Sequence, residues 1–355
     1  MSLPVSQTAP PSGIVIAMCT LNGARWLPAQ LDSIAAQDHQ DWALWVSDDG
    51  SDDGTQALIR AFAARHGATH DIRLLQGPRQ GAAQNFLWLI THPDLPCGPD
   101  LPCGPGRHLA LSDQDDIWLP GKLSRAMTVL AQAQAERLAE SLAEGLAEGG
   151  QTDPHLPLIY GAQSLHIDQN GRPTGRSRQP RRPLSVQNAV VQNMVSGHSL
   201  VLNPAALALA RQAGRPQGVA FHDWWLSLLV IAAGGRAVVD RTCVLHYRQH
   251  DSNVMGAPQG PLAQIRRLRL LVGRSFQRWF AANLAGLAAS PVALTPEAAV
   301  IVQRLGQNGG QTGGQNGCRP EGRVARLRTL RALGIHRQTG LGTGLLYLAA
   351  LLGRV

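Results

Sequence analysis

Apolar runs and polar breaks alternate in a regular way along the first 120 or so residues. Ile14-Val15-Ile16-Ala17-Met18-Cys19 is continuously apolar, the pattern of a strand covered on both faces. The polar turn Thr20-Leu21-Asn22-Gly23 follows, and then Trp26, Leu27, Leu31 and Ile34 at helical spacing. Trp42 to Ser47 reads as a second strand, Leu58, Ile59 and Phe62 as the apolar face of a second helix, and Ile72 to Leu75 as a short third strand. Gln84 to Ile90 has a helical pattern, His108 to Leu111 reads as a fourth strand, and a further helix is expected to start near Trp118. Short apolar strands separated by helices predict an α/β fold with a parallel, doubly wound sheet. Ligands of such sheets bind beyond the carboxyl ends of the strands.

Two acidic clusters fall at those ends. Asp48-Asp49-Gly50-Ser51-Asp52-Asp53-Gly54-Thr55 follows the second strand and Ser112-Asp113-Gln114-Asp115-Asp116 follows the fourth, so both should line one crevice. Asp113 and Asp115 put two carboxylates at alternate positions, a donor set suited to Mg²⁺ or Mn²⁺ and, through the cation, to a diphosphate. A polar turn capping the next helix is the alternative. Asp48 or Asp49 is expected to accept from a base or ribose, with Asp52 and Asp53 capping the following helix.

Further along, Phe221-His222-Asp223-Trp224-Trp225 sets an acid among aromatic rings, where burial favours service as a general base. The alternative is a helix N-cap. His246 and His250 lie within five residues of each other after the apolar run Ala237-Val238-Val239, and either could be a third metal ligand or a phosphate contact. Ser196-Gly197-His198-Ser199 reads as a backbone turn beside the acceptor. There is no phosphate loop of the Gly-Lys-Ser/Thr type, no glycine fingerprint after the first strand and no Gly-x-Ser-x-Gly elbow.

Taken in order, these residues resemble the family-2 glycosyltransferases, and among them the rhamnosyltransferase-like members, from about Gly13 to Gly256. The resemblance rests on Cys19 to Gly23, Asp48 to Thr55, Ser112 to Pro120, His222 to Trp225 and Tyr247-Arg248-Gln249-His250. It implies a GT-A fold, Rossmann-like, with a mixed, mainly parallel sheet, helices on both faces and a helical C-terminal tail. It also implies a dTDP- or UDP-linked sugar donor and inversion at the anomeric carbon. Thr20, Asn22, Asp48, Asp49, Asp113 and Gln114 would bind the nucleotide-sugar, and Asp113, Asp115 and His250 would hold Mg²⁺ or Mn²⁺. Asp223 would be the base, with Gly197, His198, His222 and Trp224 on the acceptor side. Leu21 departs from the pattern, standing where the family usually has Tyr. The rival class is a catalytically degenerate protein that binds sugar-nucleotides or a membrane surface.

Residues 1–12 are expected to form a flexible N-terminus and 13–256 the catalytic domain, its donor half about 13–125 and its acceptor half about 156–256. A helical extension over 257–305, a Gly/Gln/Asn-rich linker over 306–320 and a basic amphipathic tail over 321–355 complete the organisation. The Asp-Leu-Pro-Cys-Gly-Pro tandem at 94–105 and the stretch from Ala131 to Gly150 look inserted.

Composition adds two things. Hydrophobic residues at 44% and charged residues at 16% suit a globular protein and exclude disorder. The net charge of +8 is concentrated: Gly260 to Val355 holds thirteen Arg against Glu297 and Glu321, a balance of +11, which leaves the rest near −3. Lys122 is the only lysine.

The basic segment mixes Arg with Leu at helical spacing, as in Arg266-Arg267-Leu268-Arg269-Leu270-Leu271, and has few aromatics for stacking. That favours an anionic membrane surface over nucleic acid. No apolar run reaches eighteen residues, so no spanning helix is expected. Leu341 to Leu352 is long enough only for a core or interfacial helix. Five cysteines without metal-ligand spacing suit the reducing cytoplasm. The expected setting is the cytoplasm, at the inner face of the membrane, with a growing bacterial cell-surface glycan or lipid-linked glycan as acceptor.

Overall fold

Every position of β1 (Ile14–Thr20) is buried, as its unbroken apolar run requires. Successive side chains point to opposite faces, so Val15, Ala17 and Cys19 enter one core while Ile14, Ile16 and Met18 enter another. β1 lies between β2 (Trp42–Asp48) and β4 (His108–Ser112), parallel to both, and β3 (Ile72–Gln76) continues the parallel set beyond β2. α1 (Leu27–Ala35) and α2 (Thr55–His66) cover one face with Leu31, Ile34, Ile59 and Phe62. α3 (Ala82–Ile90) covers the other with Phe86, Leu89 and Ile90. The computed structural model describes residues 13–96, 106–143, 156–250, 273–306 and 322–355. Cys97, Cys103 and the Arg266–Leu271 run lie outside the described residues.

After β4 the sheet becomes mixed. β5 (Ile117–Trp118) is a short edge strand, antiparallel to β9 (Arg236–Arg248). α4 (Lys122–Ala143) begins four residues later than the expected start near Trp118. Leu119 precedes Pro120, which disfavours helical backbone there, and Trp118 N donates to Ser33 Oγ at 3.0 Å. β6 (Leu158–Ile167) runs parallel to β9, β7 (Pro173–Arg176) pairs antiparallel with β6, and β8 (Val201–Leu202) sits antiparallel between β4 and β6. The order is β3-β2-β1-β4-β8-β6-β9-β5. β8 therefore joins the two halves, and the carboxyl ends of β1, β2 and β4 open onto the turn before β8.

α5 (Val186–Ala189), a 3₁₀ turn (Gly197–Ser199), α6 (Pro204–Ala213) and α7 (His222–Ala232) pack on the α3 face. The last four helices, the helical C-terminal part expected from the sequence, pack on the same core. Phe276, Phe280 and Leu284 of α8 (Arg274–Ala289), Ile301 of α9 (Pro296–Gly306), Leu330 of α10 (Arg323–Ala332) and Leu346 of α11 (Gly340–Leu351) share one cluster with Trp224 and Trp225. Polar anchors fix the junction. Arg326 is buried and donates to the carbonyls of Leu305 and Val355, and Gln338 donates to Asn188 and accepts from the amides of Arg181 and Arg182.

Candidate active site

Three loops at the strand ends are knitted together by side chain to backbone bonds. Leu21 N donates to Gln114 Oε1 and Gln114 Nε2 donates to Leu21 O, each at 2.9 Å, which clamps the loop after β1 to the loop after β4. A Cβ on Gly23 would lie 2.2 Å from Gln114 Oε1, so only glycine permits the clamp. Asn22, at φ +50°, accepts from Asp52 N at 3.0 Å, and its own N–H donates to Ser51 Oγ at 2.8 Å. Asparagine tolerates that backbone region better than most residues. Asp53 accepts from Ala24 N and from Thr55 N, but the N-cap of α2 is Gly54, which has no side-chain cap. Asp52 gives only its backbone N–H, to Asn22.

Asp48 and Asp49 differ in what they have left to offer. Asp48 is buried, and its two oxygens accept from Thr20 Oγ1 (2.8 Å), Ser51 Oγ (2.5 Å), Ser51 N (2.9 Å) and Gln56 Nε2 (2.8 Å). Those donors outweigh its burial and hold the carboxyl below the usual carboxylate range. Asp49 accepts one hydrogen bond on each oxygen, from Arg79 N at 2.6 Å and Gly81 N at 2.8 Å, leaving a second position on each.

The loop after β4 carries three acids. Asp113 is partly open. Burial, followed by the neighbouring Asp115 and Asp223, pushes its carboxyl up to about 7. Asp223, 110 residues away in sequence, is brought near this loop through Gly197, from whose amide it accepts, and the adjacent His198. Asp115 Oδ2 lies 2.7 Å from His250 Nε2, whose ring stacks on Trp26 at 5.9 Å. Arg248 braces this corner: its guanidinium donates to Asp115 O at 3.2 Å and lies 4.5 Å from the Trp26 ring centre. Of the two histidines, His250 is the one at the cluster; His246 stands opposite Ile117 in the sheet.

Asp116 and Lys122 lie deeper, both fully buried. Asp116 Oδ1 accepts from Arg248 N at 3.3 Å, while Oδ2 has no hydrogen-bond partner. Burial and the adjacent acids push its carboxyl well up. Lys122 Nζ donates to His198 O at 2.9 Å and lies 3.2 Å from the Trp118 ring centre. Burial pulls its ammonium down, opposed by Asp116 and Asp113. Asp113, Asp116 and His198 bring one ligand atom each within 4.8 Å of one another. His198 is buried, held to about 3 by burial first and then by Lys122, so its imidazole is neutral.

Sequence reasoning missed Lys122, although a single lysine in an Arg-rich chain, two residues past Asp-Ile-Trp-Leu-Pro, was a visible signal. Lys122→Met leaves the His198 carbonyl and the acidic pair without their cation. It is expected to lower folding stability by about 1–3 kcal/mol, read as a shifted denaturant midpoint at unchanged slope.

Asp223 lies in the first turn of α7, where an anion suits the helix dipole. Phe221, not Asp223, is the N-cap. The carboxylate accepts from Gly197 N at 2.9 Å and Trp224 N at 2.8 Å. A Cβ on Gly197 would lie 2.9 Å from His222 Nε2, so glycine lets the 3₁₀ turn approach α7. His222 stacks on Phe86 at 4.0 Å. Trp224, expected on the acceptor side, is instead a core residue: it is buried, and its indole donates to Ala189 O at 2.6 Å.

Comparison with known proteins follows the same lines. Residues 15–136 match Glycosyl transferase family 2. The dTDP-rhamnosyl transferase RfbG of Shigella flexneri is 26% identical over 262 residues, covering 74% of this chain and 81% of its own. Among solved structures, S. aureus TarS 1-349 in complex with UDP-GlcNAc superposes with a TM-score of 0.51 at 13% identity, over 84% of this chain and 72% of that one, a likeness of fold. Residues 15–136 thus carry the family-2 glycosyltransferase pattern on a GT-A fold, and the chain is rhamnosyltransferase-like in sequence.

Proposed function

We propose that this enzyme transfers a sugar, rhamnose by analogy with its Shigella relative, from a dTDP- or UDP-linked donor to a hydroxyl of a growing bacterial cell-surface glycan, with inversion. The acceptor is a glycan or lipid-linked glycan met at the cytoplasmic face of the membrane. One observation carries the reading: Asp223, on α7, accepts from Gly197 N at 2.9 Å, and the next residue, His198, brings a ligand atom within 4.8 Å of Asp113 at the end of β4.

In this reading the loops after β1, β2 and β4 seat the nucleotide. Thr20 and Asn22 order those loops, and Gln114 locks two of them together. Asp49, with acceptor positions to spare, meets the base or ribose, while Asp48 holds the turn that presents it. Asp223 takes the proton from the acceptor hydroxyl as its oxygen attacks the anomeric carbon and the nucleoside diphosphate leaves. Its oxygens stay aimed because two backbone N–H groups hold them. Gly197, His198 and His222 shape the acceptor side.

The donor set of carboxylate oxygens and imidazole fits Mg²⁺ or Mn²⁺, and the buried Asp116 Oδ2 is an acceptor left without a hydrogen-bond partner. Asp113, Asp115 and His250 would hold the cation, with Asp116 and His198 behind them. Bound there, it would offset charge on the departing diphosphate. His250→Ala is expected to weaken Mn²⁺ binding by about 10–100-fold in a calorimetric titration. A loss on His198→Gln with none on His250→Ala would move the ion to the inner cluster.

Hydrolysis of a panel of dTDP-, UDP- and GDP-sugars with Mg²⁺ or Mn²⁺ tests the whole reading. Turnover of dTDP-rhamnose above the others is the expected outcome, and no metal-dependent turnover of any donor would overturn it.

A further inference from the structure

We infer that the outer face of the α10–α11 hairpin docks on an anionic phospholipid bilayer. α11 is apolar on two opposite sides. Leu346, Ala349 and Ala350 face the protein core, while Leu341 (77% exposed), Leu348 (46%) and Leu352 (46%) face solvent. Spacings of seven and four residues put these three leucines in one stripe. A helix that is hydrophobic all round belongs inside a protein or against lipid, and among the described residues nothing covers this stripe.

The surroundings select the occupant. From Gly322 to Val355 there are six Arg and no Asp or Glu. Two of the six point inward: Arg326 to backbone carbonyls, and Arg337 to Val191 O at 2.7 Å. Arg323, Arg328 and Arg331 are exposed on α10, beside exposed Val324. A symmetric dimer through this face would set like charges rim to rim, whereas anionic headgroups complement them. Twelve residues of α11 span about 18 Å, short of the roughly 30 Å of a bilayer core, so the helix lies in the interface with its leucines inserted. The surface argument itself does not depend on the catalytic reading.

The test is cosedimentation of the full chain with phosphatidylcholine vesicles, with and without phosphatidylglycerol, at low and high salt. Two variants accompany it: Leu341→Ser with Leu348→Ser and Leu352→Ser, and Arg323→Gln with Arg328→Gln and Arg331→Gln. All six side chains are exposed, and melting temperature and donor hydrolysis in solution serve as controls. The parent chain should pellet with the anionic vesicles and not the neutral ones, and less at high salt. Each leucine removed should cost roughly tenfold in partitioning, and each arginine roughly fivefold at low salt. Failure of the parent to pellet with anionic vesicles, or pelleting of the leucine variant at parental levels, overturns the proposal. So does a dimer in vesicle-free sedimentation velocity that the leucine variant abolishes, since the face then belongs to a second copy. Vesicle binding without any donor hydrolysis would remove the catalytic reading and leave this one standing.

Discussion

Asp223→Asn is expected to lower kcat by about 10²–10⁴-fold, the usual contribution of one general base, while the affinity for dTDP or UDP stays within a factor of a few. The split follows from the geometry. The substitution keeps the shape of the side chain at the first turn of α7, so the crevice and the nucleotide loops are undisturbed. One of the two backbone donors, Gly197 N or Trp224 N, would then face an amide NH₂ instead of an oxygen, a local cost of about 0.5–1.5 kcal/mol. Donor binding also loses nothing electrostatically, because the carboxylate removed is one of those that push Asp113 up. Steady-state kinetics beside a nucleotide titration would show the separation. Full turnover in Asp223→Asn, with a melting temperature near the parent's, would take Asp223 out of the base role.

Much of this site was legible because strand ends can be read from hydrophobic runs. The runs from Ile14 and His108 break at Thr20 and Ser112, and the sheet then places the following loops side by side. Two kinds of information were not legible. The first is which polar side chain faces the ligand and which faces the protein. Asp48 and Asp49 are adjacent and chemically alike, yet four donors from three segments saturate one and leave the other with capacity. The second is long-range packing. Trp224 reads as an aromatic beside a catalytic acid, but the residue after Asp223 on a helix points elsewhere, and here it meets Ala189 O and Phe276. The C-terminal helices were legible as a helical tail, but how they attach was not. Buried Arg326 and Gln338 tie them back by hydrogen bonds to backbone and amide groups that no periodicity reveals.

Asp115→Ala is expected to reduce metal-dependent donor hydrolysis by roughly 10²–10³-fold, the scale seen when one preorganised charge-stabilising group is removed, and to change how stability responds to pH. Asp113 ionises at 3.8 in a solvated chain and at about 7 in the fold, where burial and the charges of Asp115 and Asp223 resist it. The folded state thus binds the extra proton between those values. The stability this contributes is complete below 3.8 and is lost as pH rises through about 7. The metal-free protein should therefore melt at progressively lower temperature across that window. A divalent cation competes for the same carboxylate, so its binding should strengthen, and its stabilising effect grow, as pH passes about 7. Removing Asp115 takes away the largest charged contributor. The window should then narrow from its upper end, with the cation's effect reduced at every pH. Thermal melts in EDTA and in Mn²⁺ across the range would show both changes. An Asp115→Ala protein that melts and hydrolyses donor as the parent does, with the same dependence on Mn²⁺, would detach the cation from this loop.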